Sequence, residues 1–273
     1  MENKTEMWYN FRINILEHAM RTVIKIGTST LAHPSGHLNI RRTEEICKVL
    51  SDIKNAGHEI IIVSSGAIGM GVGKLGLSAR PTDIQGKQAC AAVGQCELMY
   101  TYDKLFGEYN HTVAQLLITG ADVDSEKHRT NFTNTLERLL QMGAIPIINE
   151  NDTVATDEIV IGDNDTLSAI VAKSVGADLL ILLSDIDGLY TANPRTDKNA
   201  TLIETVTEVT DELMSLAGGS GSALGTGGMV TKLRAAKTCM ECGCDMVIYN
   251  GDKPQKLYDI IGGKPVGTRF IHA

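Results

Sequence analysis

Residues 21–27 read RTVIKIG, a short apolar run that is interrupted by one lysine and closed by a glycine. A run of this length, rich in Ile and Val and followed by a polar turn, predicts a strand that is buried on both faces. Runs of the same kind recur along the chain at HEIIIVSSG (58–66), HTVAQLLIT (111–119), AIPIINE (144–150), ADLLILLSD (177–185) and CDMVIYNG (244–251). The fold class predicted from them is α/β, with a mainly parallel sheet.

The segments between these runs have the spacing of helices that cover the sheet. Residues 125–143 place apolar side chains at helical intervals and charged ones on the opposite side. The apolar set is Phe132, Leu136, Leu139 and Leu140, and the charged set is Lys127, Arg129, Glu137 and Arg138. The segment 84–108 predicts another helix, whose apolar side chains fit either the core or a second subunit. Residues 152–162 alternate polar and apolar side chains, which predicts a small hairpin.

Composition limits the classes of protein that fit. The chain has 273 residues, a net charge of -8 and a pI of about 5.4, so it offers no basic face to a nucleic acid. It has no apolar run of the roughly 18–20 residues that a membrane span needs. Its six cysteines lack the spacing of a disulfide framework, which favours a cytoplasmic location. We expect an N-terminal arm over residues 1–20 and one domain over residues 21–273.

The loops that follow the apolar runs are the expected place for chemistry, because ligands bind beyond the carboxyl ends of parallel strands. Glycine-rich turns before helices suit phosphate groups, and several of them at one sheet edge indicate a nucleotide. The loop at 218–228 is expected to be mobile without a ligand. The loops concerned are KIGTST (25–30), SSGAIGMG (64–71), NENDTV (149–154), GDNDTLSA (162–169), SDIDGLYTANPR (184–195) and GTGGMVTK (225–232).

Two lysines and one aspartate are the leading candidates within these loops. Lys25 interrupts an apolar strand, where an ammonium group is costly to bury unless an anion lies nearby. Lys232 closes the last glycine-rich loop, and we expect Asp165 to orient and hold both lysines. Asp163 and Asn164 are candidates for other polar groups of a ligand. The alternatives are a lysine that extends to solvent and a helix cap at residues 164–165, with the helix running to Val175.

Other motifs in the chain carry less weight. GVGKLG (71–76) fits GxGxxG but lies several residues past its strand, and no GxxxxGK[ST] loop is present. CMECGC (239–244) supplies three cysteines where a structural zinc site needs four ligands. His33 and His37 flank a Pro-Ser-Gly turn. A structural role is favoured for the cysteines and for both histidines.

Taken together, the motifs resemble the amino acid kinase family, and among its members those that phosphorylate glutamate. The resemblance covers essentially all of residues 21–270, and NENDTVAT before GDNDTLSA is the part that indicates glutamate. The motifs are KIGTST, VSSGAIGMG, KQACAAVGQ, PIINENDTVAT, IGDNDTLSA, LLSDIDGLYTANPR, LGTGGMVTKL and VGTRF.

The resemblance implies a fold, a reaction and partners. The fold is a three-layer αβα sandwich, and the reaction transfers the γ-phosphoryl group of ATP, with Mg²⁺, to the side-chain carboxylate of L-glutamate. This reaction is the first step of proline biosynthesis. The resemblance further implies a homo-oligomer, inhibition by proline, and coupling to the reductase that uses γ-glutamyl phosphate. Nucleic acid and membrane are not expected partners.

The resemblance also implies roles for individual residues. Lys25, Lys232 and Asp165 are the implied catalytic residues, with Asp165 organising the two lysines. Glutamate is expected at Ser65, Gly66, Asp152 and Asn164, with Asp152 near its α-ammonium group. The expected ATP-binding set is Lys25, Gly27, Ser184, Asp185, Thr226, Gly227, Gly228, Met229, Val230, Thr231 and Lys232. No residue is assigned to the metal, which is expected mainly on the ATP phosphates.

The chain departs from the common form of the family in two ways. It has the N-terminal arm, and the match ends near Ala273, where many members continue into a small module called PUA, so none is expected here. Two alternatives remain open: a kinase for N-acetylglutamate or another small carboxylate, and a ligand-binding regulator without turnover on the same fold.

Overall fold

All six predicted runs are strands of one sheet in the computed structural model, which describes residues 19–33, 37–154, 164–194, 196–218 and 228–272. They are β1 (Arg21–Ile26), β2 (Glu59–Ser64), β3 (Val113–Ile118), β4 (Ile145–Glu150), β5 (Leu179–Ser184) and β7 (Asp245–Asn250). Two strands that the sequence does not indicate are β6 (Thr205–Val206) and β8 (Thr268–Phe270). Two or three residues are too few to show a period-2 pattern.

The sheet has eight strands in the order β3-β4-β2-β1-β5-β7-β8-β6. Its neighbours pair in parallel except β7 with β8, so the predicted mainly parallel sheet is confirmed. Strands β2, β3 and β4 lie on one side of β1, and β5 to β8 lie on the other side. The strand order therefore reverses beside β1, which is where open α/β sheets bind ligands.

Helices follow most strands and lie on both faces of the sheet. The described ones are α1 (Thr28–Leu31), α2 (Ile40–Asn55), α3 (Ala67–Lys74), α4 (Ile84–Gly107), α5 (Gly120–Asp124), α6 (Glu126–Gln141), α7 (Asn164–Ser174), α8 (Asp211–Gly218), α9 (Gly228–Glu241) and α10 (Lys256–Ile261). Side-chain caps fix several starts, since Asn39, Asp83, Thr119 and Ser125 each accept a bond from a backbone N–H of the first turn.

The helix predicted over 125–143 is α6, and its predicted faces are confirmed. Leu136 and Leu140 are buried, and Phe132 and Leu139 pack partly buried against the same core. Among the charged residues Glu137 is the exception, because it is half-buried and forms an ion pair with Arg21 across the start of the sheet.

Alternate residues of the central strands supply two separate cores, one on each face. On β1, Val23 faces the core that α6, α7 and α9 cover, while Ile24 and Ile26 face the core that α2, α4 and α10 cover. This arrangement is the three-layer αβα sandwich. Because side chains alternate along a strand, Lys25 lies on the same face as Val23 and thus on the side of α7 and α9.

Helices α3 and α4 approach each other unusually closely. A Cβ on Gly94 would lie 1.7 Å from the Ala67 carbonyl oxygen, and one on Gly71 would lie 1.9 Å from that of Cys90. Glycine is therefore required at both positions.

On α4, Ala91 and Leu98 are buried while Ala92 is exposed, so part of its apolar set enters the core.

Some predicted features fall outside the described residues. These are nearly all of the N-terminal arm at 1–20, most of the hairpin at 152–162 and most of the loop at 218–228. No helix in the described ranges combines the length and the apolar character that crossing a bilayer requires.

Candidate active site

The two predicted lysines meet at the predicted aspartate. Lys25 Nζ lies 2.7 Å from Asp165 Oδ1, and Lys232 Nζ lies 2.8 Å from Asp165 Oδ2. The three side chains are only 12%, 9% and 4% exposed for Lys25, Lys232 and Asp165. The cluster carries a net charge of +1 when all three groups are ionised.

Local structure explains how distant residues reach this point. Lys25 is the fifth residue of β1, Asp165 the second of α7 and Lys232 the fifth of α9. Buried side chains of α7 and α9 share the core on the Lys25 face of the sheet. The ammonium group of Lys232 also donates to the Gly228 carbonyl oxygen at 3.2 Å, one turn earlier on its own helix. The side chain of Lys232 is thus held partly by its own helix.

The electrostatics of Asp165 follow from these contacts. Burial by itself would raise the pKa of Asp165, but the neighbouring ammonium groups of Lys25 and Lys232 outweigh burial and hold that pKa below its ordinary value. Thr231 adds a further donor, with its hydroxyl 3.3 Å from Asp165 Oδ2. Asp165 is therefore an ionised anchor for cations and is unsuited to act as a proton donor.

Gly27 lies close to the ammonium group of Lys25. A Cβ at this position would be 3.5 Å from Lys25 Nζ and 3.3 Å from the Leu183 carbonyl oxygen. The Gly27 N–H is not available to a phosphate group, because it donates to the Leu183 carbonyl oxygen at 3.3 Å. What Gly27 offers a ligand is the space beside the ammonium group, because its own N–H is already used.

The predicted glutamate residues Ser65, Gly66 and Asn164 form a second group next to the lysines. Asn164 Nδ2 lies 2.8 Å from Ser65 Oγ and 3.0 Å from the Ser64 carbonyl oxygen. Gly66 begins α3 with a φ of 105°, a left-handed conformation that requires glycine. Since Asn164 directly precedes Asp165 in α7, this group and the lysine cluster share one helix start.

Asp152 lies in the turn after β4. Burial raises its pKa, while the positive charge of Arg80 works in the opposite direction. The described structure gives the Asp152 carboxylate no ion pair as short as those of Asp165. A cation brought in by a ligand would stabilise its ionised form.

The predicted nucleotide residues are only partly within the described structure. Ser184 is buried at the end of β5 and Asp185 is exposed after it. Gly228, Val230 and Thr231 lie in the first turn of α9, whereas Met229 is buried in the core. Thr226 and Gly227 fall outside the described residues, as does Asp163.

The described structure has two notable recesses, of which one borders the predicted nucleotide residues. A small apolar one of about 60 Å³ is lined by Ile186, Leu189, Tyr190 and Met229, between the loop after β5 and α9. A larger one of about 500 Å³ lies at the start of α2 and includes His33 and Arg42 but no residue predicted for the site. We give weight to the small recess, because it adjoins the predicted nucleotide residues.

Sequence reasoning missed two buried amides behind the site. Asn149 Nδ2 donates to Gln95 Oε1 at 2.9 Å, and Asn149 Oδ1 accepts from Asn164 Nδ2 at 3.0 Å. A signal was present, because Asn149 is a polar residue within a buried strand. Gln95 likewise stands between Ala91 and Leu98 on the buried face of α4.

The cysteines of the CMECGC segment lie at the end of α9 and the start of β7. Cys239 and Cys244 are buried and Cys242 is exposed, and all six cysteines of the chain are free thiols. The structural role that the sequence favours for them is consistent with this burial in the core.

The family model described as "Amino acid kinase family" matches residues 20–250. Curated relatives are named glutamate 5-kinase. That of Clostridium acetobutylicum is 55% identical over 262 residues, covering 96% of this chain and 98% of the relative. Those of Clostridium perfringens and Listeria welshimeri are 51% and 54% identical, covering 94% of this chain and 97% and 95% of the relatives.

Solved structures with a similar fold include carbamate kinase from Giardia lamblia bound to AMP-PNP. It has a TM-score of 0.66 at 18% identity, over 94% of this chain and 99% of that one. The product complex of isopentenyl phosphate kinase from T. acidophilum has a TM-score of 0.64 at 17% identity, over 92% and 99% of the two chains. At these identities the likeness concerns the fold alone.

Proposed function

The chain belongs to the amino acid kinase family, and we propose that it uses ATP to phosphorylate the side-chain carboxylate of L-glutamate, giving γ-glutamyl phosphate. This is the activity in the name of relatives that are 51–55% identical over nearly their whole length. The activity is the first step of proline biosynthesis.

The observation that carries this proposal is the meeting of Lys25 and Lys232 at Asp165. Two ammonium groups that share one carboxylate leave one positive charge uncompensated at the carboxyl edge of the sheet. The γ-phosphoryl group of ATP is the ligand group that supplies the missing negative charge. Asp165 keeps both ammonium groups in place before the ligand arrives, so little reorganisation is needed when it binds.

The reaction needs charge stabilisation more than acid-base chemistry. A glutamate carboxylate oxygen forms the new bond to the γ-phosphorus as the bond from that phosphorus to the bridging oxygen breaks, and ADP leaves with the electron pair. The carboxylate is already a nucleophile, so no general base is required. Lys25 and Lys232 would reduce the repulsion between the two anions as they approach in line.

The acceptor is proposed to bind at the loop after β2 and the start of α7. Ser65, the Gly66 backbone and Asn164 would hold glutamate, since their polar groups lie together next to Asp165. The carboxylate of Asp152 would pair with the α-ammonium group. Its raised pKa supports this role, because a partly buried carboxylate gains most from a cationic partner.

The nucleotide is proposed to bind on the other side of the lysines. The nucleotide would be lined by Ser184, Asp185 and residues 226–232. The apolar recess beside Met229 would accommodate part of it. Both oxygens of Asp165 are engaged by lysines, so the described carboxylate nearest the reaction is not free for a metal. Mg²⁺ would be held mainly by the ATP phosphates, where it adds positive charge.

Further proposals follow from membership of this family. A homo-oligomer, inhibition by proline at the glutamate side, and coupling to the reductase that consumes γ-glutamyl phosphate are all proposed. A cytoplasmic location is proposed from the six free cysteines. Size-exclusion chromatography and assays with added proline test the first two.

The test of the function is a comparison of acceptors. ATP consumption is measured with glutamate, N-acetylglutamate and aspartate side by side, and hydroxylamine traps the acyl phosphate. We expect turnover and a trapped product with glutamate only. Turnover with N-acetylglutamate instead would reassign the acceptor, and no turnover with any carboxylate would favour a regulator on the same fold.

A further inference from the structure

Gln95 connects α4 to the acceptor side of the site through a chain of buried amides. Gln95 Oε1 accepts from Asn149 Nδ2 at 2.9 Å, and Asn149 Oδ1 accepts from Asn164 Nδ2 at 3.0 Å. Asn164 Nδ2 in turn reaches Ser65 Oγ at 2.8 Å. Gln95 and Asn149 are 7% and 2% exposed, so water competes little for these bonds.

The orientations of the two asparagine amides are fixed by backbone groups, and that of Gln95 follows from its bond to Asn149. Asn149 Oδ1 also accepts from the Glu150 N–H at 2.9 Å, so its oxygen is held towards that N–H and its nitrogen towards Gln95. Asn164 Nδ2 also lies 3.0 Å from the Ser64 carbonyl oxygen, which requires the nitrogen there. Without the Gln95 oxygen, the Asn149 nitrogen would lose its acceptor in a buried position.

Stability alone does not explain a glutamine at this position. Within the described structure, the buried Nε2 of Gln95 has no hydrogen-bond partner. An unsatisfied buried donor lowers stability, whereas an apolar side chain of similar shape has no such cost. The part of Gln95 that is used is the oxygen that faces Asn149.

We propose that Gln95 is a positioning residue for the acceptor: through Asn149 it fixes the side chain of Asn164, and thereby the Ser65 hydroxyl, in the orientation that binds the glutamate carboxylate. This inference rests on the proposed function. Gln95 touches neither lysine of the cluster by any described bond, so its effect is on acceptor binding and not on the phosphoryl group.

Gln95→Met tests this proposal, because methionine has a similar length and no hydrogen-bonding amide. We expect the KM for glutamate to rise about tenfold, which corresponds to one net hydrogen bond, while kcat and the KM for ATP stay within about twofold. The matched control is Gln141→Met on α6. Among the described residues the exposed Gln141 amide accepts only from Arg138, so the substitution should leave all three constants unchanged.

Two further measurements separate positioning from a general loss of structure. In Gln95→Met, the rise in melting temperature that glutamate causes should shrink, while the rise caused by ATP should not. In a Ser65→Ala background, Gln95→Met should raise the glutamate KM by much less than tenfold, since the end of the chain is already lost. If Gln95→Met does not fold, Gln95→Asn, which keeps the amide but withdraws it by one methylene, takes its place with the same expectations.

The outcomes are distinct from those of the functional test. Turnover by the unaltered protein with an unchanged glutamate KM in the folded variant would overturn the role of Gln95 and leave the function intact. Equal loss of glutamate and ATP binding would overturn it too. Absence of glutamate turnover in the unaltered protein would overturn the function itself.

Discussion

At the scale of single residues, Asp165 is the centre of the site. Its two oxygens each hold a lysine, one from β1 and one from α9, and it is the most buried member of the cluster. Breaking such a buried arrangement by removing one partner is costly, because a charge is left without its counter-ion. Removal of Asp165 would leave both lysines without a counter-ion, whereas removal of one lysine leaves Asp165 paired with the other.

Lys232→Ala should lower kcat by roughly a hundredfold, or about 3 kcal/mol in the barrier, because a donor to the transferring group is lost. The KM for glutamate should change far less. The measurement is steady-state kinetics with both substrates varied. Lys237→Ala, on the exposed side of the same helix, is the control, and an unaltered kcat in Lys232→Ala would remove that lysine from the mechanism.

Asp152→Asn should raise the KM for glutamate at neutral pH, because the amide cannot form an ion pair with the α-ammonium group. In the unaltered protein the glutamate KM should rise as the pH falls through the pKa of Asp152, which burial places above its ordinary value. The pKa of Asp165 is lowered, so Asp165 stays ionised over that range. The variant should not show this rise, and a normal glutamate KM in the variant would reject the role of Asp152.

The same substitution has a consequence for stability. A raised pKa means that the folded state binds the proton more tightly, so this contribution to stability is present at low pH and is lost as the pH rises through the folded pKa. Asp152→Asn should therefore be at least as stable as the unaltered protein at neutral pH. Thermal unfolding at several pH values checks the sign.

At the scale of elements, α4 contacts the proposed acceptor side through two neighbouring residues. Gly94 lets the helix approach the start of α3, which carries the Gly66 turn, and Gln95 reaches Asn149 at the end of β4. A shift of this one helix would alter both loops of the acceptor side.

Gly94→Ala should lower the free energy of unfolding by about 1–3 kcal/mol or more, because its Cβ would lie 1.7 Å from the Ala67 carbonyl oxygen. The backbone of α3 would have to move, so the glutamate KM should rise as well. Gly107→Ala at the end of the same helix meets no atom within 4 Å and should be neutral or slightly stabilising. Denaturant unfolding measures the stability of both variants. Equal free energies of unfolding for Gly94→Ala and Gly107→Ala would contradict the close approach of α3 and α4.

At the scale of the whole molecule, the two ends of the sheet have different tasks. The carboxyl ends of the strands carry the lysine cluster and the acceptor loops. At the opposite end, Arg21 pairs with Glu59 at 2.7 Å and with Glu137 at 2.6 Å, and also donates to the Val175 carbonyl oxygen. This network ties β1 to β2, α6 and the end of α7.

Arg21→Met should lower the free energy of unfolding by about 2–3 kcal/mol, since two partly buried carboxylates lose their shared partner. The kcat and both KM values should stay unchanged, because the site lies at the other end of the strands. Arg41→Met is the control, since the Arg41 side chain is 89% exposed and, in the part of the chain that the structure describes, pairs only with Glu45. A large loss of activity in the folded Arg21 variant would contradict this separation.

Most of the fold was predictable from the sequence, because buried parallel strands are continuous apolar runs and their order along the chain alternates with helices. The loops at the strand ends were predictable for the same reason. Lys25 was predictable as a site residue because an ammonium group in an apolar run is costly to bury without an anion nearby. The amide chain was not predictable in this way, since Gln95 and Asn149 are 54 residues apart. Their bond depends on how α4 rotates and packs.

The sequence by itself therefore determined the strands, the sheet edge that holds the loops, and the types of charge placed there. Only the tertiary structure decided that Lys25 and Lys232 share the two oxygens of Asp165, and that Gln95 is joined to Asn164 through Asn149. The physical reason is that periodicity reports the burial of each element against its core, a local property. Contacts between elements depend on the register and close approach of helices, which the packing of the whole chain determines.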